Sequence, residues 1–230
     1  MITIDVDELR DRFVIQELKN IKAGAVLLDA GAGQQKYKQY CSHLKYISQD
    51  FNQYDGGGDG KGLQTGTWDV SKIDVVSDIT QIPLADDSID AILCTEVFEH
   101  IPNPISAVKE FSRLLHSGGK LILTAPFCSF THFSPYHFAT GFNKYWYEKI
   151  LEDNGYRIEK LERGGNYFKW LGQEAMRIDK IVGKYCGARL NIIDKVVRRY
   201  LLKRLDDFSN RDSGSADLLC YEYYVMAKKR

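Results

Sequence analysis

The chain predicts an α/β fold built on a doubly wound, largely parallel sheet, and two observations carry that expectation. Short apolar runs of strand length alternate with stretches of helical periodicity through the first two-thirds of the chain. That alternation is the sequence mark of successive β-α-β units. The first run, Val26-Leu27-Leu28-Asp29-Ala30-Gly31-Ala32-Gly33, ends in an acid and two alternate glycines. It reads as a buried strand breaking into a tight turn beside a ligand, because glycine accepts positive φ and lets another group approach the backbone.

Residues 5–22 read as a leading helix, with Phe13, Val14, Leu18 and Ile21 at helical spacing among charges. A first strand is expected over Ala25–Asp29 and a helix over Gln35–Cys41. A second strand, Lys45–Gln49, ends at Asp50. Tyr54–Thr67 contains Gly56-Gly57-Gly58 and reads as an irregular, mobile loop. A third strand, Asp74–Ser77, ends at Asp78. Pro83 and Asp86-Asp87 form a turn before a fourth strand, Ile89–Cys94.

Ile105, Val108, Phe111 and Leu115 share one face of a helix over Pro102–Leu115. Ser117-Gly118-Gly119 is expected to end that helix before a fifth strand, Lys120–Ala125. Strands are expected over Tyr156–Leu161 and, by the alternation of Tyr221, Tyr223 and Val225, over Leu218–Ala227. The organisation expected is one domain, 1–230. Within it lie an N-terminal helix (1–24), a cofactor-binding core (25–165), a helical insertion (166–208) and a final strand (217–228).

Composition narrows the function classes. The 230 residues are 44% hydrophobic and 27% charged, ordinary for a globular domain with a sizeable core. Lys+Arg and Asp+Glu both total 31, so no basic surface excess favours long nucleic acid. Five dispersed cysteines without a CxxC pair point to reduced thiols and not to a disulfide framework. No basic-then-apolar leader and no long apolar run is present, which gives the expectation of a cytoplasmic protein with no membrane span. Oligomeric state is not legible.

Several acids fall at the ends of strands, where open α/β sheets bind ligands. Asp29, Gly31, Ala32 and Gly33 would form the first strand-to-helix turn. The alternative is a glycine turn that merely lets helix pack on strand. Lys36 stands where the third glycine of a dinucleotide fingerprint would be, which argues against a pyrophosphate site. Asp50, followed by Phe51, lies about 20 residues beyond the turn, where a carboxylate can accept from both ribose hydroxyls; the alternative is an exposed loop acid. Asp78-Ile79 could hold an adenine amino group and ring, or Asp78 could simply cap a turn.

Thr95-Glu96 follows the fourth strand, with Glu96 able to face a cofactor amino group. His100 can equally cap the loop. Glu99 and His100 invite reading as metal ligands, but no third ligand stands at convincing spacing, so no metal is expected.

Five ordered segments carry a family resemblance. These are Leu28–Gly33, Asp78–Leu84, Ser88–Ile92, Glu96–Ile101 and Arg113–Leu121. Together they resemble a class I S-adenosyl-L-methionine (SAM)-dependent methyltransferase of the type 11 kind. The resemblance implies a seven-stranded, Rossmann-like mixed sheet with its last strand antiparallel. It also implies SAM contacts at Gly31, Asp50, Asp78, Ile79 and Glu96. The chain departs from many members at Gln35, where they keep a third glycine, and runs on to Tyr37.

After the fifth strand come His132 and His137, candidates to take a proton from an acceptor hydroxyl. His132 and Pro135 match a His-x-x-Pro element of relatives associated with surface-glycan genes. The acceptor expected is therefore a small molecule such as a sugar hydroxyl, free or lipid-linked. A quinone-like aromatic acceptor and a non-catalytic SAM-binding protein are the alternatives. Phe138, Phe142, Tyr145, Trp146 and Tyr147 could stack on an acceptor or pack a helix into the core. The basic residues of the insertion (Lys180, Lys184, Arg189, Lys195, Arg198, Arg199, Lys203 and Arg204) could hold an acidic acceptor or membrane face, or form a solvated surface with the interleaved acids.

Overall fold

The computed structural model of the protein describes residues 6–64, 66–69 and 71–230. Asp5 and Thr65, parts of the expected leading helix and glycine-rich loop, lie outside the described residues. Among the described residues, seven strands form one sheet: β1 (Val26–Ala30), β2 (Lys45–Asp50), β3 (Val75–Val76), β4 (Ile89–Thr95), β5 (Leu115–Pro126), β6 (Tyr156–Gly164) and β7 (Glu222–Lys229). Their order is β3-β2-β1-β4-β5-β7-β6. The pairs through β5 are parallel, and β7 runs antiparallel to both β5 and β6. The chain steps outward from β1 to β2 and β3, then returns to the other side with β4. The order therefore reverses beside β1, and a crevice opens outside the carboxyl ends of β1 and β4.

The helices are α1 (Val6–Lys19), α2 (Pro104–Leu114), α3 (Lys144–Asp153), α4 (Tyr167–Cys186) and α5 (Ile192–Ser209). Neighbouring strand residues point to opposite faces, so each central strand serves two cores. Leu28, Ile92, Leu123 and Tyr223 pack with Phe98, Phe111 and Tyr147 on one face. Leu27, Leu93, Ile122 and Tyr224 pack with Phe13, Val14 and Leu18 of α1 on the other. None of the described helices is long and apolar enough to cross a membrane.

Three segments differ from the sequence expectation. Gln35–Cys41 is not an α-helix: Gln35 has φ +57°, which no α-helix tolerates, and only a 3-10 turn forms at Lys38–Tyr40. Tyr37 is buried there and its hydroxyl donates to Asp11 at 2.7 Å. Ser117-Gly118-Gly119 does not end α2. Leu115 is already extended and β5 begins with it. Its register against β4 jumps from the pair Ile89/Leu115 to Ala91/Lys120, so the glycines lie in a bulge. The final strand starts at Glu222, because Leu218 is still in helical conformation as the cap of the 3-10 turn Ser215–Asp217, and Leu219 N also donates to Ser215 O.

The glycine-rich loop is irregular, as expected, but it is anchored and not loose. Leu63 N donates to Thr131 O and Phe133 N donates to Leu63 O, both at 3.0 Å. Tyr54 stacks on Phe133 with centroids 4.7 Å apart, and Trp68 meets the same ring edge-on at 5.1 Å. Gly56 is required here: a Cβ would lie 1.3 Å from the Gly66 carbonyl oxygen.

Candidate active site

A cavity of about 580 Å³ opens at the crevice beside β1, within the range of small-molecule and cofactor sites. Six of the ten cofactor-binding candidates line it: Gly31, Asp50, Phe51, Asp78, Ile79 and Glu96. Asp29, Ala32, Gly33 and Thr95 do not. Asp29 is 3% exposed and accepts from the Tyr46 hydroxyl at 2.5 Å instead. Burial pushes the Asp29 carboxyl up to about 7, partly opposed by that hydrogen bond.

The turn after β1 is built by Asp50 as much as by the glycines. One Asp50 carboxylate oxygen accepts from Gly33 N at 2.9 Å, and the other accepts from Asn52 N at 2.8 Å. The acid at the end of β2 thus ties two loops together and still faces the cavity. Asp78 is a turn acid and also lines the cavity. It accepts from Thr80 N and Thr80 Oγ1 at 2.8 and 2.7 Å, as a turn acid does, and it lines the cavity with Ile79.

Glu96 holds a left-handed backbone conformation, φ +55°. Such strain in a non-glycine residue gathers at functional sites. Its side chain accepts from Thr124 Oγ1 at 2.8 Å and pairs with Arg10 at 3.1 Å. Arg10 also pairs with Glu222 at 2.9 Å. Burial pushes the Glu222 carboxyl well up, as does the neighbouring Glu96, and Arg10 opposes both.

A second cavity, of about 470 Å³, shares Glu96 and Phe133 with the first. It is walled by His132 from the loop after β5 and by Trp170, Gln173, Glu174 and Arg177 of α4. The wall from the insertion went unread in the sequence. Those four residues lie in the first half of α4, ahead of the basic cluster. Of that cluster, Lys184 donates to Gly62 O at 2.6 Å, while Arg198 pairs with Asp179 and Arg204 with Asp207. Of the five aromatic candidates, Phe142, Trp146 and Tyr147 pack with the core; Phe138 lines the first cavity, and Tyr145 is exposed.

His132 and His137 lie together, with ring centroids 4.9 Å apart, and His100 meets the His132 ring at 4.6 Å. His137 Nε2 is 3.2 Å from Ser129 Oγ, and it is not part of either cavity wall. Burial pulls the His137 imidazole down, reinforced by the neighbouring His132 and His100. Burial also pulls His100 down, to about 4. On His132 burial acts downward, but Glu99 and the Phe130 carbonyl outweigh it and the net direction is up.

Comparison with known proteins agrees with this geometry. Residues 28–123 match the family described as "Methyltransferase domain". The chain superposes on a SAM-dependent methyltransferase from Archaeoglobus fulgidus with TM-score 0.57 and 16% identity, covering 98% of this chain and 95% of that one. It is also similar to phosphoethanolamine N-methyltransferase 2 of Haemonchus contortus in complex with SAM. There the TM-score is 0.54 and the identity 16%, over 96% of this chain and 52% of that one. A 37-residue stretch is 46% identical to a ubiquinone biosynthesis O-methyltransferase of Xanthomonas oryzae pv. oryzae. That match covers 16% of this chain and 16% of the relative's length.

The sheet order and the crevice beside β1 are those of the fold shared with these methyltransferase structures. Residues 28–123 match a methyltransferase domain, and the likeness to these solved structures is one of fold.

Proposed function

We propose that the protein transfers the SAM methyl group to a hydroxyl of a polar small molecule of carbohydrate type. The observation that carries this reading is the pair of cavities meeting at Glu96 and Phe133. The first, at the switch of strand order, suits the cofactor. Asp50 receives the ribose hydroxyls, Asp78 and Ile79 the adenine, and the turn at Gly31 the amino-acid portion, with Glu96 at its amino group. The second suits the acceptor. Trp170 and Phe130 offer flat apolar faces, while Gln173, Glu174 and Arg177 offer donors and acceptors beside them. A ring that is apolar on its faces and polar at its edges fits that lining, whereas a quinone tail would desolvate the Glu174–Arg177 ion pair without replacing its water.

Transfer is an in-line displacement. The acceptor oxygen attacks the methyl carbon, the carbon–sulfur bond breaks, and S-adenosylhomocysteine leaves with the bonding pair. Most of the acceleration comes from holding oxygen and methyl in line and in near contact. A hydroxyl must also lose its proton, and the imidazole cluster of His132 and His137 beside the second cavity is the group to receive it. The test is S-adenosylhomocysteine release with a panel of free and lipid-linked saccharides, set against catechols and quinols. Turnover with saccharides supports the reading. Turnover confined to aromatic acceptors overturns the acceptor class. SAM binding without turnover on any panel member favours a binding protein.

A further inference from the structure

Beneath the wall shared by the two cavities, three side chains turn polar atoms toward one another. Glu99 is fully buried, and neither of its carboxylate oxygens has a hydrogen-bond partner. His100 Nε2 lies 3.5 Å and His132 Nε2 3.7 Å from Glu99 Oε1, beyond the range of a good hydrogen bond. The two imidazoles are turned alike. His100 Nδ1 is 2.6 Å from Tyr136 O, and His132 Nδ1 is 2.8 Å from Phe130 O. A carbonyl only accepts, so each ring donates its Nδ1–H there, and the neutral imidazole then carries its lone pair on Nε2. Three acceptors then converge on one point.

From this geometry we propose that Glu99, His100 and His132 form a binding site for one divalent transition-metal ion of the zinc class. Their donor atoms all lie within 4.8 Å of one another. Ligands about 2.1 Å from a tetrahedral ion stand roughly 3.4 Å apart, close to the separations from Glu99. Two imidazoles with one carboxylate are a donor set that holds zinc and similar ions and leaves a coordination position open. The carbonyls on both Nδ1 atoms supply the outer hydrogen bonds that metal-binding histidines use to fix ring and tautomer. The backbone is braced as well: Glu99 O accepts from Phe138 N at 2.8 Å and Ala139 N at 3.2 Å. An ion also answers the cost of a buried carboxylate without a partner.

The sequence hid this site because its third ligand is remote. Glu99 and His100 sit after β4, and His132 arrives on the loop after β5. Glu99 and His132 line the second cavity and His100 lines the first. The ion therefore stands between cofactor and acceptor, where its open position can hold the acceptor oxygen and acidify it; with His132 held as a ligand, the proton-accepting role falls to His137. That role rests on the proposed function; the binding itself does not.

The test is calorimetric titration of the full-length, chelator-treated protein with Zn²⁺, then with SAM on the same preparation. Co²⁺ absorption spectra serve as a second readout. One equivalent of Zn²⁺ should bind saturably. His132→Ala, on the loop, and Glu99→Gln should each weaken binding at least tenfold, and the tetrahedral Co²⁺ bands should be lost. No saturable Zn²⁺ binding by the unaltered protein overturns the proposal, as does equal affinity in the folded His132→Ala variant. SAM binding without Zn²⁺ binding refutes the metal site alone. Loss of both refutes the methyltransferase reading with it.

Discussion

Gly31→Ala probes the turn on which the cofactor cavity depends. Gly31 has φ +74°, and a Cβ there would sit 2.5 Å from Val97 Cγ2 and 2.9 Å from Val97 Cγ1. Carbon atoms in good contact stand ~3.5–4.0 Å apart, so the methyl overlaps both branches of Val97. The left-handed backbone adds about 1–2 kcal/mol for a residue with a Cβ. Overpacking of this kind adds about 1–3 kcal/mol. The variant should lose roughly 2–5 kcal/mol in urea denaturation, by a lowered midpoint at unchanged slope.

Val97→Ala removes both clashing carbons. The double variant should therefore recover about 1–3 kcal/mol relative to the sum of the singles and keep the backbone penalty. The two contributions separate in this cycle. A Gly31→Ala protein within ~0.5 kcal/mol of the unaltered one, or a cycle showing no coupling to Val97, would show that Gly31 is not held against Val97 in this way.

Other consequences can be measured directly. Asp50→Ala should weaken SAM binding by about 1.5–3 kcal/mol through lost charge-assisted bonds and also destabilise the turn held at Gly33 and Asn52. Unchanged affinity by calorimetry would remove Asp50 from the site. Asp29 has a folded pKa raised to about 7 by burial. The folded state then holds a proton that the unfolded state releases, so stability falls as pH rises from about 4 to about 7. The loss is on the order of 4 kcal/mol at most, and Asp29→Asn should flatten that slope in denaturation series across this window. Arg10→Met strands Glu222, which is 2% exposed, and should cost about 3–5 kcal/mol. Adding Glu222→Gln should restore most of it in thermal melts; no recovery would mean that Arg10 acts through packing.

The legible parts of this chain are those written in local pattern. The glycine turn after β1, the acids at the ends of β2 and β4, and the alternation in the strands all report on neighbours a few residues away. Asp50 and Ile79 could be placed at the cavity because a parallel sheet brings every strand's carboxyl end to one rim. Gln35 misled because a single left-handed residue breaks a helix without changing its apolar spacing. The aromatic run around Trp146 could not be divided between core and surface until β7 and α3 were packed together. The second cavity was the least legible. Trp170, Gln173, Glu174 and Arg177 reach it from α4, and their role depends on how the α4–α5 hairpin folds back, which periodicity does not encode. His132 beside Glu99 is the same case in one contact, since 32 intervening residues separate ligands that the sheet order makes adjacent.

Calorimetric titration of the folded protein with SAM, S-adenosylhomocysteine and NAD examines the proposed SAM site at the crevice beside β1. SAM and S-adenosylhomocysteine should bind saturably, NAD should not bind, and Asp50→Ala should lose SAM affinity. NAD binding in preference to SAM, or no SAM binding by folded protein, would contradict that site.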